Sequence, residues 1–374
     1  MIYLDSAATS LLKPAAVTTA VAQTMTHCAS PSRGSYSAAM DAAEVVYSCR
    51  EEAAALFHAA PEQVVFTQNA THALNLAIHA LVKPGTKVLI SGYEHNAVLR
   101  PLAAMGAEIS VIRSPLFDRE AALQAFREKL ADCELVVCTH VSNVFGFVLP
   151  IEELSAECKK AGVPLIVDAA QSAGTLEVDM RAWDCAFIAM PGHKGLMGPQ
   201  GTGILLCNHE TRPLLYGGTG TLSRSLSMPD ALPERLEAGT LNVPGIAGLL
   251  EGLRYVRRIG ASLIHQKEQH LMKTFLSHLV DERIHAFVSP NDGSQSAVVS
   301  VCFEGLDSES AAELLGREGI AVRGGLHCAP LAHETAGTIE QGTVRFSFSP
   351  FLTLDEVRKA AITCEQILKN GYNL

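Results

Sequence analysis

Asp168 and Lys194 are the two side chains whose types and positions most clearly indicate chemistry. Asp168 ends the apolar run of residues 165–168, and Lys194 follows a second apolar run that ends near residue 189. If both runs are neighbouring parallel strands, both side chains reach the sheet edge at which α/β proteins bind ligands. A lysine amine beside a carboxylate suits a Schiff-base cofactor, because the amine holds an aldehyde and the acid pairs with a ring nitrogen. An ordinary salt bridge at the rim of the sheet is the alternative.

Short apolar runs alternate with alanine-rich stretches over the first two thirds of the chain. The predicted strands are residues 64–67, 87–91, 108–112, 135–139, 165–168, 185–189 and 203–207. The predicted helices between them are residues 38–57, 70–81, 97–105, 119–130 and 151–161. Several strands are continuous apolar runs, which is typical of strands buried on both faces of a mostly parallel sheet. The alternation predicts a doubly wound α/β fold.

The pattern changes near residue 244, where long helical stretches lead into fewer strands. The predicted helices there are residues 245–258, 263–279, 308–318 and 354–369, and the predicted strands are residues 297–303 and 344–348. This pattern indicates a smaller C-terminal α+β domain of ordinary size. We therefore expect an N-terminal segment (residues 1–12), a large domain (residues 13–250) and a small domain (residues 251–374).

Composition excludes several classes of protein. The 374 residues are 48% hydrophobic, which argues against a disordered chain, and the net charge of −10 argues against nucleic acid or an anionic membrane as a partner. No apolar run is long enough to span a membrane, and the N-terminus has no basic region typical of a signal peptide. The ten cysteines include no Cys-x-x-Cys pair, so neither a disulfide framework nor a zinc ribbon is expected. We expect a cytoplasmic protein with free thiols.

The segments around Asp168 and Lys194 resemble class V pyridoxal-phosphate enzymes, most closely the cysteine desulfurases and selenocysteine lyases. These segments are Val167-Asp168-Ala169-Ala170-Gln171-Ser172, Gly192-His193-Lys194 and Gly198-Pro199. Supporting motifs follow in order along nearly the whole chain: Tyr3-Leu4-Asp5-Ser6-Ala7-Ala8, Thr67-Gln68-Asn69-Ala70-Thr71, Glu94-His95-Asn96-Ala97, Ser142-Asn143-Val144-Phe145-Gly146, Glu237-Ala238-Gly239-Thr240 and Val322-Arg323-Gly324-Gly325-Leu326-His327-Cys328-Ala329. The order and spacing of the set carry the resemblance. The short segment from Cys328 into Pro330 resembles the group II branch of this family.

The resemblance implies the type I pyridoxal-phosphate fold, with a mostly parallel seven-stranded sheet in its large domain, and pyridoxal 5′-phosphate as the cofactor. Lys194 would then form the Schiff base, and Asp168 would pair with the ring nitrogen. His95 would stack on the cofactor ring and belong to the catalytic residues. Asn143 and Gln171 would hydrogen-bond the phenolic oxygen of the cofactor.

The resemblance also implies a phosphate site. Its residues would be Ala70, Thr71, His193 and, from a partner subunit, Thr240, so that a homodimer is expected. From the residues alone, Thr71 at the start of a helix could equally be an N-terminal cap. Pro191 departs from the family, which commonly has a phosphate-binding serine there, and proline offers neither a hydroxyl nor an N–H group. His72 stands where an acid is common, and the sequence assigns it no role.

Cys328 lies in a glycine-rich loop with Arg323 and His327 nearby. Cationic surroundings favour the nucleophilic thiolate, although an inert loop thiol is the alternative without the resemblance. The resemblance implies that Cys328 takes the sulfur or selenium of L-cysteine or L-selenocysteine, which leaves L-alanine and a persulfide on Cys328. Arg345 would clamp the substrate carboxylate, with Arg323 and Asn143 also in the substrate site.

Two other functions are consistent with these motifs. A class V aminotransferase, or another carbon–heteroatom lyase, would not use Cys328. A scaffold would bind the cofactor or a sulfur-acceptor protein without turnover. For the desulfurase, a sulfur-acceptor protein is a further expected partner.

Overall fold

The structure, a computed structural model, describes residues 1–31, 34–291 and 293–369. Its strands are β1 (Ile2–Tyr3), β2 (Val64–Thr67), β3 (Lys87–Ser91), β4 (Glu108–Ile112), β5 (Leu135–Thr139), β6 (Leu165–Asp168), β7 (Phe187–Pro191), β8 (Gly203–Cys207), β9 (Ile284–Ala286), β10 (Val298–Phe303), β11 (Ile320–Ala321) and β12 (Val344–Ser347). Its α-helices are α1 (Ala15–His27), α2 (Ser37–Leu56), α3 (Ala70–Leu81), α4 (Asn96–Ala104), α5 (Arg119–Lys129), α6 (Ile151–Ala161), α7 (Met180–Trp183), α8 (Val243–Ile259), α9 (Ala261–Leu276), α10 (Ser308–Arg317), α11 (Pro330–Ala336) and α12 (Leu354–Lys369). Two short 3-10 turns cover Pro61–Gln63 and Leu130–Asp132.

The main sheet has seven strands in the order β2-β8-β7-β6-β5-β3-β4. Strand β8 is antiparallel to both of its neighbours, while every other pair is parallel. Strands β5 to β8 are buried along their whole length, as their continuous apolar runs require. The predicted mostly parallel, seven-stranded α/β sheet is therefore confirmed.

The position of β7 differs from the prediction by two residues. The apolar run predicts a strand over residues 185–189, but the strand covers Phe187–Pro191. Pairing with β8 continues to the last residue, where Pro191 lies opposite Gly203. The neighbouring strand, rather than the apolar run, thus decides where β7 ends, and it brings Pro191 to the sheet edge just before Lys194.

A second hydrophobic core lies at the C-terminal side of the chain. Strands β9, β10 and β12 form an antiparallel sheet in the order β12-β10-β9, and helices α10 and α12 pack on it. The N-terminal strand β1 pairs with β11 in parallel, and both Ile2 and Leu4 are buried in this second core. The first residues of the chain therefore pack with its last third. The boundaries predicted at residues 12 and 250 stay a prediction, and residues 370–374 of the predicted small domain lie outside the described residues.

Helix α8 packs against α1 and α2 and also supports the segment that follows Lys194. Gly252 of α8 lies so close to that segment that a Cβ there would be 2.2 Å from the Leu196 carbonyl oxygen. Only glycine permits this approach. Over the described ranges, no helix is both long and apolar enough to cross a bilayer.

Candidate active site

Asp168 and Lys194 meet at the carboxyl edge of the main sheet. Asp168 is the last residue of β6, and Lys194 follows β7, the next strand in the sheet. Asp168 is buried, Lys194 is half-buried, and both line one cavity; no ion pair joins them in the described part of the chain. Burial, reinforced by the Arg345 charge, lowers the pKa of Lys194 to about 8, while Asp168 opposes that shift. This arrangement differs from the rim salt bridge that was the alternative.

We call this space the aspartate cavity. The predicted cofactor residues that line it are Ala70, Thr71, His95, Asn143, Asp168, Gln171, His193 and Lys194. Asp168 Oδ1 accepts a hydrogen bond of 2.9 Å from the Ala170 N–H, which holds the carboxylate in place. Burial raises the pKa of Asp168 above its ordinary value.

The start of α3 forms one end of the aspartate cavity. Asn69 is the N-cap, and its Oδ1 accepts a hydrogen bond of 2.9 Å from the His72 N–H. Thr71 is therefore not the cap, which was one of its two predicted roles. The first-turn N–H groups of Ala70 and Thr71 have no partner within the helix, as at any helix start, and such groups bind anions well.

His193 lies at the same end of the cavity. Its Nδ1 is 3.1 Å from Thr9 Oγ1, and the Thr9 hydroxyl donates a hydrogen bond of 3.1 Å to the His193 carbonyl. Since that hydroxyl proton is used, Nδ1 is the donor to Thr9 and Nε2 of the neutral ring is an acceptor, so His193 must gain a proton at Nε2 before it can donate to a phosphate oxygen. Burial and the Lys194 charge lower the pKa of His193 to about 4.

Pro191 and His72 differ in how they relate to the site. Pro191 lines the aspartate cavity. The hydroxyl of the serine that the family commonly has at this position is therefore absent from the wall of the cavity. His72 Nδ1 accepts a hydrogen bond of 3.3 Å from the Gln68 N–H, which supports the start of α3. The structure therefore gives His72 a local structural contact.

His95 is the N-cap of α4. Its Nδ1 accepts a hydrogen bond of 3.0 Å from the Ala97 N–H, so the neutral ring carries its proton on Nε2. Burial and the nearby Lys194 charge lower the pKa of His95 to about 4. An uncharged imidazole that donates from Nε2 therefore faces the site near neutral pH.

A second space, which we call the cysteine cavity, adjoins the first. The two cavities share His95, Asn143, Gln171 and Lys194 in their walls. The cysteine cavity adds the predicted substrate residues Arg323, Cys328 and Arg345. The tertiary structure thus brings the lysine and the cysteine, which are far apart in the sequence, to one continuous site.

Cys328 is exposed in a backbone turn with an unusual conformation. Both His327 (φ 52°) and Cys328 (φ 56°) are left-handed, which costs free energy for residues other than glycine. The Cys328 carbonyl accepts a hydrogen bond of 2.8 Å from the Asn96 N–H. The His327 carbonyl accepts another of 2.8 Å from Asn143 Nδ2. These bonds anchor the turn to the start of α4 and to the segment after β5, with the exposed thiol at the mouth of the site.

His327 does not supply the positive charge that its position in the sequence suggests. Its ring is buried, and burial together with the Arg345 charge lowers its pKa to about 2. Its Nε2 lies 3.0 Å from the Thr343 carbonyl. Charged side chains that line the cavity with Cys328 are instead those of Arg323 and Arg345, and the Arg323 guanidinium interacts electrostatically with Cys328.

Asp5 is a site residue to which the sequence reasoning assigned no role. Asp5 Oδ1 accepts a hydrogen bond of 2.9 Å from Arg345 Nη2, and Asp5 Oδ2 accepts one of 2.9 Å from Arg323 Nη2. Arg345 also donates from Nη1 to the Asn143 carbonyl at 3.0 Å. The signal in the sequence was its place in the motif Tyr3-Leu4-Asp5-Ser6-Ala7-Ala8, which supports the resemblance without assigning Asp5 a role.

Thr240 lies away from both cavities. It lines a separate cavity together with Arg50 and Glu237, which form a buried ion pair of 2.7 Å. Within one chain, the structure therefore does not bring Thr240 to the predicted phosphate site.

Some buried polar atoms of the two cavities have no hydrogen-bond partner, and they show whether a cofactor and an acidic substrate would fit there. Asn143 Oδ1 and Arg345 Nε are buried without a hydrogen-bond partner. Buried polar groups in folded proteins nearly always have partners, so such atoms indicate a missing ligand. With the free N–H groups of α3 and the uncharged His95, the residues fit a phosphorylated aromatic aldehyde and an α-carboxylate.

The chain is similar to known proteins over nearly its whole length. The family described as aminotransferase class V matches residues 2–359. A probable cysteine desulfurase of Methanothermobacter thermautotrophicus is 33% identical over 99% of this chain and 95% of its own length. A cysteine desulfurase of Cronobacter sakazakii is 33% identical over 95% of this chain and 90% of its own. Among solved structures, the apo cysteine desulfurase of Thermococcus onnurineus NA1 has a TM-score of 0.90 and 32% identity, over 99% of this chain and 95% of that one.

Proposed function

The chain belongs to the class V aminotransferase family, among its cysteine desulfurases, and from this we propose that it removes sulfur from L-cysteine, releases L-alanine and leaves a persulfide on Cys328. The observation that carries the proposal is the pair of adjoining cavities, in which Lys194 lines both and Cys328 lines one. An aminotransferase needs the lysine but has no use for a thiol held at the mouth of the same site.

Pyridoxal 5′-phosphate is the cofactor that the family implies, and the aspartate cavity has residues that would hold it. Lys194 would hold the aldehyde and Asp168 the ring nitrogen. Asn143, Gln171 and His95 would contact the ring and its phenolic oxygen. The phosphate would be held by the start of α3 (Ala70, Thr71), by His193 and by Thr240 of a second copy of the chain. When bound, the cofactor withdraws electrons from the substrate and makes its α-proton acidic.

Lys194 is the group that would move that α-proton. Its pKa of about 8 leaves a useful fraction of the amine uncharged near neutral pH, where an ordinary lysine is almost fully protonated. A base works best when its pKa lies near the working pH. His95, uncharged and with its proton on Nε2, would donate a hydrogen bond beside it.

Cys328 is the nucleophile of the sulfur-transfer step. A bond forms between Cys328 Sγ and the substrate sulfur, and the bond between the substrate Cβ and that sulfur breaks. The electron pair of the broken bond stays with Cβ, which gains a proton and becomes the methyl group of alanine. Arg323 lines the same cavity as Cys328.

Arg345 would bind the substrate carboxylate. Its guanidinium is buried, held by Asp5 and by the Asn143 carbonyl, and still has an N–H without a partner. A guanidinium that is held in place loses little side-chain entropy when it binds a carboxylate.

The proposal also covers which atom is transferred, sulfur or selenium, and how and where the protein acts. L-Selenocysteine is the second candidate substrate, because its selenol is already ionised near neutral pH and selenolate leaves more readily than thiolate.

The position of Thr240 supports a homodimer in which each copy completes the site of the other. All ten cysteines are free, which supports action in the cytoplasm, where thiols stay reduced, with a sulfur-acceptor protein as the final partner.

The test uses Cys328→Ala in the cofactor-loaded protein. We expect the variant to keep its cofactor, lose nearly all alanine release from L-cysteine and keep appreciable release from L-selenocysteine. Mass spectrometry of the parent protein after exposure to cysteine should find one added sulfur on the Cys328 peptide. Cys302→Ala, at a half-buried thiol outside both cavities, is the matched control. Unchanged turnover of L-cysteine by Cys328→Ala, or persulfide on another cysteine, would reject the mechanism.

A further inference from the structure

The turn that carries Cys328 packs against a buried histidine of the next helix. His333 belongs to α11 and is fully buried, and its ring stacks on the His327 ring with 5.7 Å between the centroids and 30° between the planes. Aromatic rings attract each other at such a distance. Burial lowers the pKa of His333 to about 4 and that of His327 to about 2, so two uncharged rings meet near neutral pH.

The His333 ring is itself held in place. Its Nδ1 lies 2.8 Å from Thr338 Oγ1, and the Thr338 N–H donates a hydrogen bond of 2.8 Å to the His333 carbonyl. The centroid of the Phe145 ring lies 5.8 Å from that of the His333 ring. Nε2 of His333 is buried and has no hydrogen-bond partner in the described part of the chain. The ring therefore contacts His327 by packing, and one hydrogen bond sets its orientation.

His327 connects this ring to the backbone of the turn. Its Nε2 lies 3.0 Å from the Thr343 carbonyl oxygen, which can only accept, so Nε2 carries the proton and donates it. The His327 side chain is thus held by Thr343 at one edge and by His333 on one face. Both His327 (φ 52°) and Cys328 (φ 56°) are left-handed, and such conformations persist only where the surrounding contacts hold them.

The turn is also bonded to α4, the helix that follows His95. The Asn96 N–H donates a hydrogen bond of 2.8 Å to the Cys328 carbonyl oxygen. Asn96 is the first residue of α4, and His95 is the N-cap. This N–H has no partner within its own helix, so its protection from exchange with solvent depends on the turn.

We propose that His333 is a positioning residue, which holds Cys328 at the site by supporting the His327 ring. Without the His333 ring a cavity is left beside His327, and the left-handed turn relaxes and carries the thiol away from the substrate sulfur. His333 lines neither the aspartate cavity nor the cysteine cavity, so the contacts that bind the cofactor and the substrate carboxylate remain. The inference deepens the proposed function, on which it rests in taking Cys328 as the nucleophile.

The first test compares His333→Ala with His333→Phe in the cofactor-loaded protein. We expect His333→Ala to lower kcat for L-cysteine by about tenfold or more, because small misplacements of a reacting group are costly, and to leave KM nearly unchanged. The loss for L-selenocysteine should be much smaller, because its selenolate needs Cys328 less. His333→Phe keeps a ring against His327 and should retain most of the parent kcat.

Hydrogen exchange provides a second readout, which needs no turnover. In His333→Ala the Asn96 amide should exchange about tenfold faster or more than in the parent, because its bond to the Cys328 carbonyl opens more often. Mass spectrometry of overlapping peptides that contain Asn96 measures this rate. His270→Ala, at an exposed histidine of α9, is the matched control and should change neither kcat nor the exchange of Asn96.

Unchanged kcat and unchanged Asn96 exchange in His333→Ala would overturn the proposal. Weaker cofactor binding with an equal loss for both substrates would overturn it too, since that pattern marks general damage to the fold. If His333→Ala does not fold, His333→Leu decides, because a lower kcat with faster Asn96 exchange supports the role of the ring and parent values reject it. If the parent releases no alanine from cysteine, faster Asn96 exchange in His333→Ala upholds the role of His333, and only the proposed function fails.

Discussion

Lys194 is a site residue whose protonation is strongly altered by its surroundings. Burial and Arg345 lower its pKa to about 8 from the ordinary 10.5, so the reactive uncharged amine forms at a lower pH. We predict that the rate at which the cofactor-free protein forms a Schiff base with pyridoxal 5′-phosphate rises with pH to a midpoint near 8. Stopped-flow absorbance between pH 6 and 10 measures this rate.

The labelled position provides the control for that experiment. Borohydride reduction followed by peptide mapping should place the label on Lys194, and Lys194→Ala should give no reducible adduct. A midpoint near 10, or a label on another lysine, would contradict the prediction.

Because Pro191 cannot donate a hydrogen bond to the phosphate, Thr71 and His193 should contribute a larger share of the free energy of phosphate binding. One hydrogen bond to a charged group is worth roughly 1.5–3 kcal/mol. We therefore predict that Thr71→Ala and His193→Ala each weaken cofactor binding by roughly tenfold to hundredfold, as measured by equilibrium dialysis. Thr274→Ala, at an exposed hydroxyl on α9, should leave the binding unchanged. Equal retention by all variants would show that the phosphate binds elsewhere.

At the scale of elements, helix α8 supports the segment that carries Lys194. A methyl group on Gly252 would lie 2.2 Å from the Leu196 carbonyl oxygen, closer than any real contact. We predict that Gly252→Ala lowers the melting temperature and weakens cofactor binding. Overpacking costs about 1–3 kcal/mol, which exceeds the gain of about 1 kcal/mol in helix propensity.

Gly316 of α10 is the matched position for that test. A Cβ there would meet no atom within 4 Å, so Gly316→Ala should leave cofactor binding unchanged and keep or raise the melting temperature. If both variants behave alike, the close approach of α8 has no role in holding Lys194.

At the scale of the whole molecule, Glu268 is a buried acid with no hydrogen bond or ion pair to any described residue. Glu268 of α9 lines a small cavity beside Lys194 together with Ser6 and Ser296, and neither serine hydroxyl has a partner in the described part of the chain. Burial raises the pKa of Glu268 to about 8. The folded protein therefore keeps a proton that the unfolded chain releases above about pH 4.5.

This difference gives the sign of a pH effect on stability. The contribution of Glu268 is fully present below pH 4.5 and is lost as the pH rises through about 8, by roughly 1.4 kcal/mol per pH unit at most. We predict that Glu268→Gln, which cannot ionise, gains stability relative to the parent as the pH rises from 5 to 9. Urea unfolding at several pH values measures the difference. The surface variant Glu282→Gln should show no such trend, and a parallel pH dependence of parent and Glu268→Gln would contradict the prediction.

The sequence by itself determined the large sheet and the edge at which the chemistry lies. Strands that are buried on both faces must be continuous apolar runs, and such runs predict β5, β6 and β8 with the bounds that the structure has. Since Asp168 and Lys194 follow parallel strands that are neighbours, their placement at one edge follows from that pattern alone.

Only the tertiary structure decided which side chains of the site are charged and which of them pair with each other. Asp5 meets Arg323 and Arg345 across 318 and 340 residues of sequence, a contact that no local periodicity predicts. The position of His327 suggested a cation beside Cys328, yet burial makes the ring neutral. Charge depends on which groups surround a side chain and how much water reaches it, and both follow from the packing of distant segments. Local pattern therefore determines the elements, and their packing decides what the residues at their ends can do.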